Sequence, residues 1–262
     1  MRVIIKNNSA DCATWVAGYI AYSIKKAKPT AKKPFVLGLP TGSTPLGVYK
    51  ELIKLYQNKK ISFEHVVTFN MDEYIGLSPE DKNSYHYFMY ENFFNYININ
   101  PKNIHILNGL TKDYAKECED YENAIKAYGG IDLMLGGIGS DGHIAFNEPF
   151  SSFTSRTRIK TLAPSTIKDN SRFFDNDITK VPTQALTIGI GTIMDSKEVI
   201  IMATGENKAE AIRSTIEEPI NHKCPASILQ MHRYGIMVCD EGAIKKLPPP
   251  TVQYFKDIEN RI

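Results

Sequence analysis

The sequence predicts an α/β fold: a single domain over residues 1–262, doubly wound and Rossmann-like, with a mostly parallel sheet and helices on both faces. Three observations carry this. Short runs such as "FVLGL" and "EVIIMA" are apolar throughout, as strands covered on both faces are. Amphipathic stretches with helical spacing lie between them, which is the rhythm of βαβ units. At 262 residues the chain is long enough to bury one large core.

In chain order, the first expected strand is "FVLGL" (35–39). It ends at Leu39, and a helix begins near Pro45 with Thr44 as its N-cap. Tyr49, Leu52, Ile53 and Tyr56 share one face of that helix. The run "VVTFNM" (66–71) is the next strand. The aromatic stripe "SYHYFMYENFFNYI" (84–97) has helical spacing and reads as core rather than as a cofactor box. Tyr114, Cys118, Tyr121 and Ile125 line a further helix, which Gly129 and Gly130 end. "IDLMLGGI" (131–138) is a strand. Residues 150–184 are polar and weakly periodic, and a mobile lid is expected around 160–184. Strands follow at "ALTIGI" (185–190), "EVIIMA" (198–203) and "GIMVCD" (235–240). Between the last two, Ala209, Ile212 and Ile216 mark a helix in "NKAEAIRSTIEE". The low-complexity stretch "LPPP" (247–250) stands alone, and no repeat is present.

Composition narrows the classes. A net charge of +2 gives no electrostatic reason for binding nucleic acid or an anionic membrane. No apolar run reaches the length of a membrane span. The start, "MRVIIKNNSAD", holds an apolar run too short for a signal peptide, so a cytoplasmic location is expected. Cys12, Cys118, Cys224 and Cys239 are scattered with no C-x-x-C pair, against both a disulfide framework and a cysteine zinc site.

Three loops fall at expected strand ends. In "IDLMLGGIGSDGHIAFNEPF" (131–150), Gly137, Gly139 and Gly142 spell the dinucleotide pattern G-x-G-x-x-G. That reading needs a helix starting at the third glycine, and Pro149 forbids a long one. No acidic residue closes a second strand about 20 residues on, where a ribose would be held. The glycines are better read as letting the backbone turn where open α/β sheets bind ligands. They present Asp141, His143 and Glu148, and a His flanked by carboxylates suits acid–base work. A metal reading of the same three lacks an H-E-x-x-H spacing and ranks lower. In "LGLPTGSTPLGVYKEL" (37–52), Gly42, Ser43 and Thr44 stand at a helix N-terminus, either as a phosphate cradle or as an ordinary capped turn. In "VVTFNMDEYIGL" (66–77), Asp72 and Glu73 follow a buried strand, and a carboxylate there serves either as a general base or as a cap on the next turn. His86, His105, His222 and His232 have no such neighbours and read as structural.

Taken together, "LPTGSTP", "FNMDEY", "GGIGSDGHIAFNEP", "SSFTSRTR" and "NSRFFDND" resemble the glucosamine-6-phosphate deaminase (isomerase) family, from residue 1 to at least 255. The resemblance implies an enzyme converting glucosamine 6-phosphate and water to fructose 6-phosphate and ammonia, with no organic cofactor and no metal. It implies that His143 shuttles the ring-opening proton, that Asp141 and Glu148 hold and polarise it, and that Asp72 moves a proton from C2 to C1. It assigns Gly42, Ser43, Thr44, Arg172 and Lys208 to the substrate phosphate. It implies a homohexamer activated by N-acetylglucosamine 6-phosphate at Ser151, Ser152, Arg158, Lys160, Thr161 and Tyr254. The chain departs from some relatives at Pro219 and Ile228, where they carry a cysteine pair, and at Ser43, where they carry Gly. Two readings compete: a 6-phosphogluconolactonase-like hydrolase, which the paired "FNMDEY" and "DGHIAFNEP" disfavour, and a sensor without turnover, which has no use for a proton-transfer base.

Overall fold

In the strand Glu198–Ala203, successive side chains feed two different cores. Val199, Ile201 and Ala203 pack into one apolar cluster, and Ile200 and Met202 into another. A strand can be apolar throughout only when both faces are covered. The computed structural model describes residues 1–259 and 261. Through them the chain runs β1 (Arg2–Lys6), α1 (Ser9–Ala27), β2 (Phe35–Leu39), α2 (Leu46–Gln57), β3 (Val66–Asn70), β4 (Asp72–Tyr74), α3 (Tyr85–Asn92), β5 (Ile104–His105), α4 (Tyr114–Ala127), β6 (Leu133–Gly137), β7 (Arg158–Thr161), α5 (Pro164–Asn170), β8 (Gln184–Thr187), α6 (Ile190–Met194), β9 (Glu198–Ala203), α7 (Ala209–Ile216), β10 (Gly235–Asp240) and α8 (Pro249–Glu259).

Seven strands form one parallel sheet in the order β1-β10-β9-β6-β2-β3-β5. On one face, α1, α2 and α3 cover it with Val16, Ile20, Leu52 and Met89. On the other, α4 and α7 cover it with Tyr121, Ile125 and Ile212. This is the doubly wound sheet the sequence predicts. From β2 the chain moves outward to β3 and β5, then returns to the other side of β2 for β6. The order thus reverses between β2 and β6, the point at which such sheets open a crevice at their strands' C-terminal ends.

Several expectations change here. The run 185–190 is a strand only to Thr187, and it lies outside the parallel sheet. β8 pairs antiparallel with β4 and with β7 in a second, three-stranded sheet. Its apolar character comes from burial of Ala185, Leu186 and Ile188 between the two layers. At Gly189 the chain passes so close to the Ser155 backbone that a side chain would overlap it, and α6 begins one residue later. The helix after β2 starts at Leu46, with Pro45 in the cap position and no side-chain cap, so Thr44 is not its cap. The opening residues "RVIIK" form β1, the edge strand against β10.

The weakly periodic region contains β7 and α5. It closes on a small third cluster of Tyr74, Phe146, Leu162, Phe174, Val181 and Ala185. All four cysteines are free, and no helix among the described residues is long and apolar enough to cross a membrane. Three of the four histidines read as structural pack against rings: His86 on Tyr90, His105 on Phe69 and His222 on Phe150. The fourth, His232, is buried with Nε2 2.9 Å from the Ser196 carbonyl.

Candidate active site

The loops after β2, β3, β6 and β9 converge on one cleft. Gly42, Ser43 and Thr44 line it from the first loop, Asp72 from the second, Gly137, Gly139 and His143 from the third, and Lys208 from the fourth. Arg172, just beyond α5, lines the far wall. The cleft is open to solvent on one side.

Asp72 sits where the two sheets meet. Its backbone belongs to β4, opposite Thr187 of β8, and the preceding Met71 N–H donates to the Leu39 carbonyl of β2 at 3.0 Å. Its carboxyl is buried, and its pKa is pushed up to about 8, first by burial and next by the charge of Glu73. Tyr49, Tyr74, Tyr85 and Tyr121 surround it closely enough to feel its charge, although burial is the larger cause of their own raised values. Glu73 has a different job. Its carboxylate accepts from the backbone N–H groups of Tyr74, Tyr85 and His86 at 2.8–2.9 Å, so it caps the N-terminus of α3. Burial raises it to about 6 against those three donors. Of the two readings of this loop, the capping one belongs to Glu73, and Asp72 faces the cleft.

The third loop explains its own glycines. Gly139 N–H donates to the His143 carbonyl at 2.9 Å and Gly142 N–H to the Gly139 carbonyl at 3.1 Å, so the segment closes on itself. The His143 ring packs against Gly139, where any side chain would overlap it. Gly142 has φ +86°, and a side chain there would meet the Cys224 sulfur. No helix follows Gly142. The chain makes turns and an isolated bridge between Ile144 and Asn147, so there is no pyrophosphate-binding helix end.

The His143 Nδ1 is 2.7 Å from Asp141 Oδ1 and 4.0 Å from Glu148 Oε2. Burial alone would raise Asp141, but the charge and donors of His143 outweigh it and hold the carboxyl below the ordinary range. Glu148 is buried. One of its oxygens accepts from the Ala163 N–H at 3.1 Å, and the other faces His143 without a partner. The donor atoms of this trio lie within 4.8 Å of one another. A tetrahedral ion with bonds near 2.1 Å would hold its ligands about 3.4 Å apart. The 2.7 Å approach of Asp141 to His143 is an ion-pair distance, which suits proton transfer better than shared metal coordination.

Lys208 is pushed below the ordinary lysine value by burial and then by the charge of Arg172. Two cations held together in this way form a site for an anion.

The residues expected at a second, effector site are partly dispersed. Ser151 is buried with its hydroxyl unpartnered. Ser152 is exposed, 3.1 Å from the Thr154 hydroxyl. Arg158, Lys160 and Thr161 follow along β7, the first two on its less exposed face. Tyr254 is exposed on α8, which packs on β1, and no hydrogen bond among the described residues ties it to β7. The cleft also uses residues that the sequence pattern does not single out. Thr41, Tyr85, Asp169 and Asn170 all line it. Tyr85 belongs to the aromatic stripe read as core. Met89, Phe93 and Phe94 of that stripe are core, and Tyr85 escapes because it stands at the first position of α3.

Residues 7–238 match the family described as glucosamine-6-phosphate isomerases/6-phosphogluconolactonase, and the chain belongs to that family of sugar-phosphate enzymes. Within it, the chain falls among the glucosamine-6-phosphate deaminases. It is 61% identical to the one from Treponema denticola over 259 residues, covering 99% of this chain and 96% of that protein. It is 57% identical to the one from Glaesserella parasuis, covering 100% and 99%. A solved structure described as a monomeric glucosamine-6-phosphate deaminase superposes with a TM-score of 0.90 at 40% identity, covering 94% of this chain and 99% of that one. The 6-phosphogluconolactonase from Trypanosoma cruzi matches at a TM-score of 0.73 and 19% identity, covering 94% and 96%, a likeness of fold alone.

Proposed function

We propose that the chain converts glucosamine 6-phosphate and water to fructose 6-phosphate and ammonia. The observation that carries this is the convergence of a buried carboxyl, a carboxylate-flanked histidine and a cation pair on one cleft. The phosphate lies against Gly42, Ser43 and Thr44 and between Arg172 and Lys208. His143 takes the proton from the anomeric hydroxyl and delivers it to the ring oxygen, which opens the sugar. Asp141 and Glu148 hold and polarise the imidazole. Asp72 then removes the proton from C2, leaving an enolamine, and returns it to C1. The product is an iminium at C2, and water adds there and expels ammonia. No bond forms to the protein. Two bases are needed because ring opening and the C2–C1 transfer occur at different atoms.

The segment 160–184 serves as a lid that brings Arg172 to the phosphate. A cytoplasmic homohexamer activated by N-acetylglucosamine 6-phosphate at Ser151, Ser152, Arg158, Lys160, Thr161 and Tyr254 is the regulatory reading. It is supported by Arg158 and Lys160 sharing one face of β7. The dispersal of Tyr254 fits a site completed by a second subunit, whereas the monomeric relative shows that the fold does not require one.

The test is ammonia release from glucosamine 6-phosphate by the purified protein, with and without N-acetylglucosamine 6-phosphate. Turnover is expected, and sigmoidal saturation that the effector makes hyperbolic supports the regulatory part. Hydrolysis of 6-phosphogluconolactone with no ammonia released would mean the lactonase reading is right.

A further inference from the structure

Tyr85 and Asn170 line the cleft, yet the proton-transfer scheme uses neither. They are connected. The Asn170 side-chain amide donates to the Tyr74 hydroxyl at 2.9 Å. Tyr74 is buried, with its ring centroid 4.8 Å from that of Tyr85 and 5.7 Å from that of Phe174. Tyr85 in turn lines the cleft together with Thr41. Thr41 opens the Gly42–Thr44 loop, and Asn170 stands two residues before Arg172. Asn170, Tyr74 and Tyr85 therefore stand in one file, which joins the end of α5 to the cleft wall that Thr41 shares.

Both tyrosines are fixed from outside the file. The Tyr85 N–H donates to Glu73 at 2.9 Å, and the Tyr74 backbone pairs with Ala185 in the small sheet. The segment it holds is otherwise anchored by apolar packing, with Ile167 and Phe174 against the small third cluster. α5 is seven residues long and buries only Thr166. Arg172 is exposed and forms no ion pair among the described residues, only a stack on Phe173. An exposed arginine must lose considerable rotamer freedom to engage a phosphate, and anchoring its backbone in advance lowers that cost.

We infer that the Tyr74 hydroxyl and Asn170 are positioning residues, which hold α5 and the turn after it so that Arg172 and the Gly42–Thr44 loop meet the same phosphate. The inference rests on the phosphate end proposed above. Its sequence basis is the Tyr two residues after Asp72 in "DEY" and the Asn two residues before Arg172 in "NSR".

Tyr74→Phe removes the hydroxyl and keeps the ring in its aromatic cluster, and Asn170→Ala removes the donor. Fructose 6-phosphate affinity by calorimetry, KM and kcat with glucosamine 6-phosphate, and the thermal midpoint are measured for both and for the double variant. Tyr74→Phe is expected to weaken fructose 6-phosphate binding about 3–10-fold and to raise KM by a similar factor, the worth of one hydrogen bond. Its kcat should stay within about twofold. The double variant should bind no worse than the weaker single one, because both delete the same bond. Wild-type affinity in Tyr74→Phe, or single effects that multiply, overturns the inference. So does a fall in kcat that tracks a lowered thermal midpoint, which would make the bond merely structural. If the wild-type protein binds no fructose 6-phosphate, the functional reading fails and this inference fails with it. If the wild-type protein binds and the variants match it, only the positioning role falls.

Discussion

The two carboxylate-bearing loops of the cleft, after β3 and after β6, treat the same functional group in opposite ways. Asp72 is buried among tyrosines beside a second buried carboxyl and is pushed up to about 8. Asp141 is partly exposed beside an imidazole and is held below the ordinary range. The difference teaches that environment, not residue type, divides the work. A carboxyl raised toward neutrality can both take and return a proton, which a C2-to-C1 transfer demands. A carboxylate kept charged can only orient and polarise its histidine. The second carboxyl of each loop differs as well: Glu73 turns away to cap α3, whereas Glu148 ties its loop to Ala163 with one oxygen and faces His143 with the other.

The contrast breaks most severely at Asp72. Asp72→Asn is expected to lower kcat by about 10³–10⁴, the upper range for a lost general base, with fructose 6-phosphate binding retained. The same variant should be more stable. A carboxyl whose folded pKa is raised from 3.8 to about 8 contributes stability that is complete below pH 4 and is lost as pH climbs through about 8. Asparagine does not ionise, so the variant should melt higher than wild type at pH 8 and close to it at pH 4. For a chain of this size each kcal/mol is worth about 2–4 °C. Equal melting temperatures at pH 8 would mean Asp72 is not raised.

His143→Gln tests the other loop and should cost less, about 10²-fold in kcat, because some substrate is already open-chain in solution. An open-chain analogue should restore most of the rate. A defect with that analogue as deep as in Asp72→Asn would move the C2 chemistry to His143.

The smallest effect sharpens the comparison. Glu73→Gln removes the charge that is the second cause of the raised Asp72 value. The rise of kcat/KM with pH should then shift to lower pH by less than about one unit, with kcat little changed at its plateau. A shift to higher pH would contradict the assignment, since removing a neighbouring negative charge can only lower a carboxyl pKa.

Much of this is legible in the chain. Runs such as Val199–Ala203 are apolar at every position, and only burial on both faces allows that. Pro149 alone argues against the dinucleotide reading, because it denies the helix that reading needs. The geometry then gives the glycines their reason in the His143 ring against Gly139. The small sheet is not legible. β4 and β7 are three and four residues long, and the run 185–190 that holds most of β8 reads like a parallel strand. Nothing in residues 185–190 says which sheet they join. Tyr85 is lost in its own aromatic run, because its exposure to the cleft depends on Glu73 capping α3 from another strand.

By itself the sequence determined the layered parallel sheet, the three loops at strand ends and the family, because periodicity and ordered motifs are local properties that a chain carries in one dimension. Only the tertiary structure decided that Glu73 turns away to cap α3, how far each carboxyl is shifted, and that Asn170, Tyr74 and Tyr85 stand in one file. Burial and hydrogen-bond partners arise between residues far apart in the chain, and a pKa is set by what surrounds a group rather than by its neighbours in sequence.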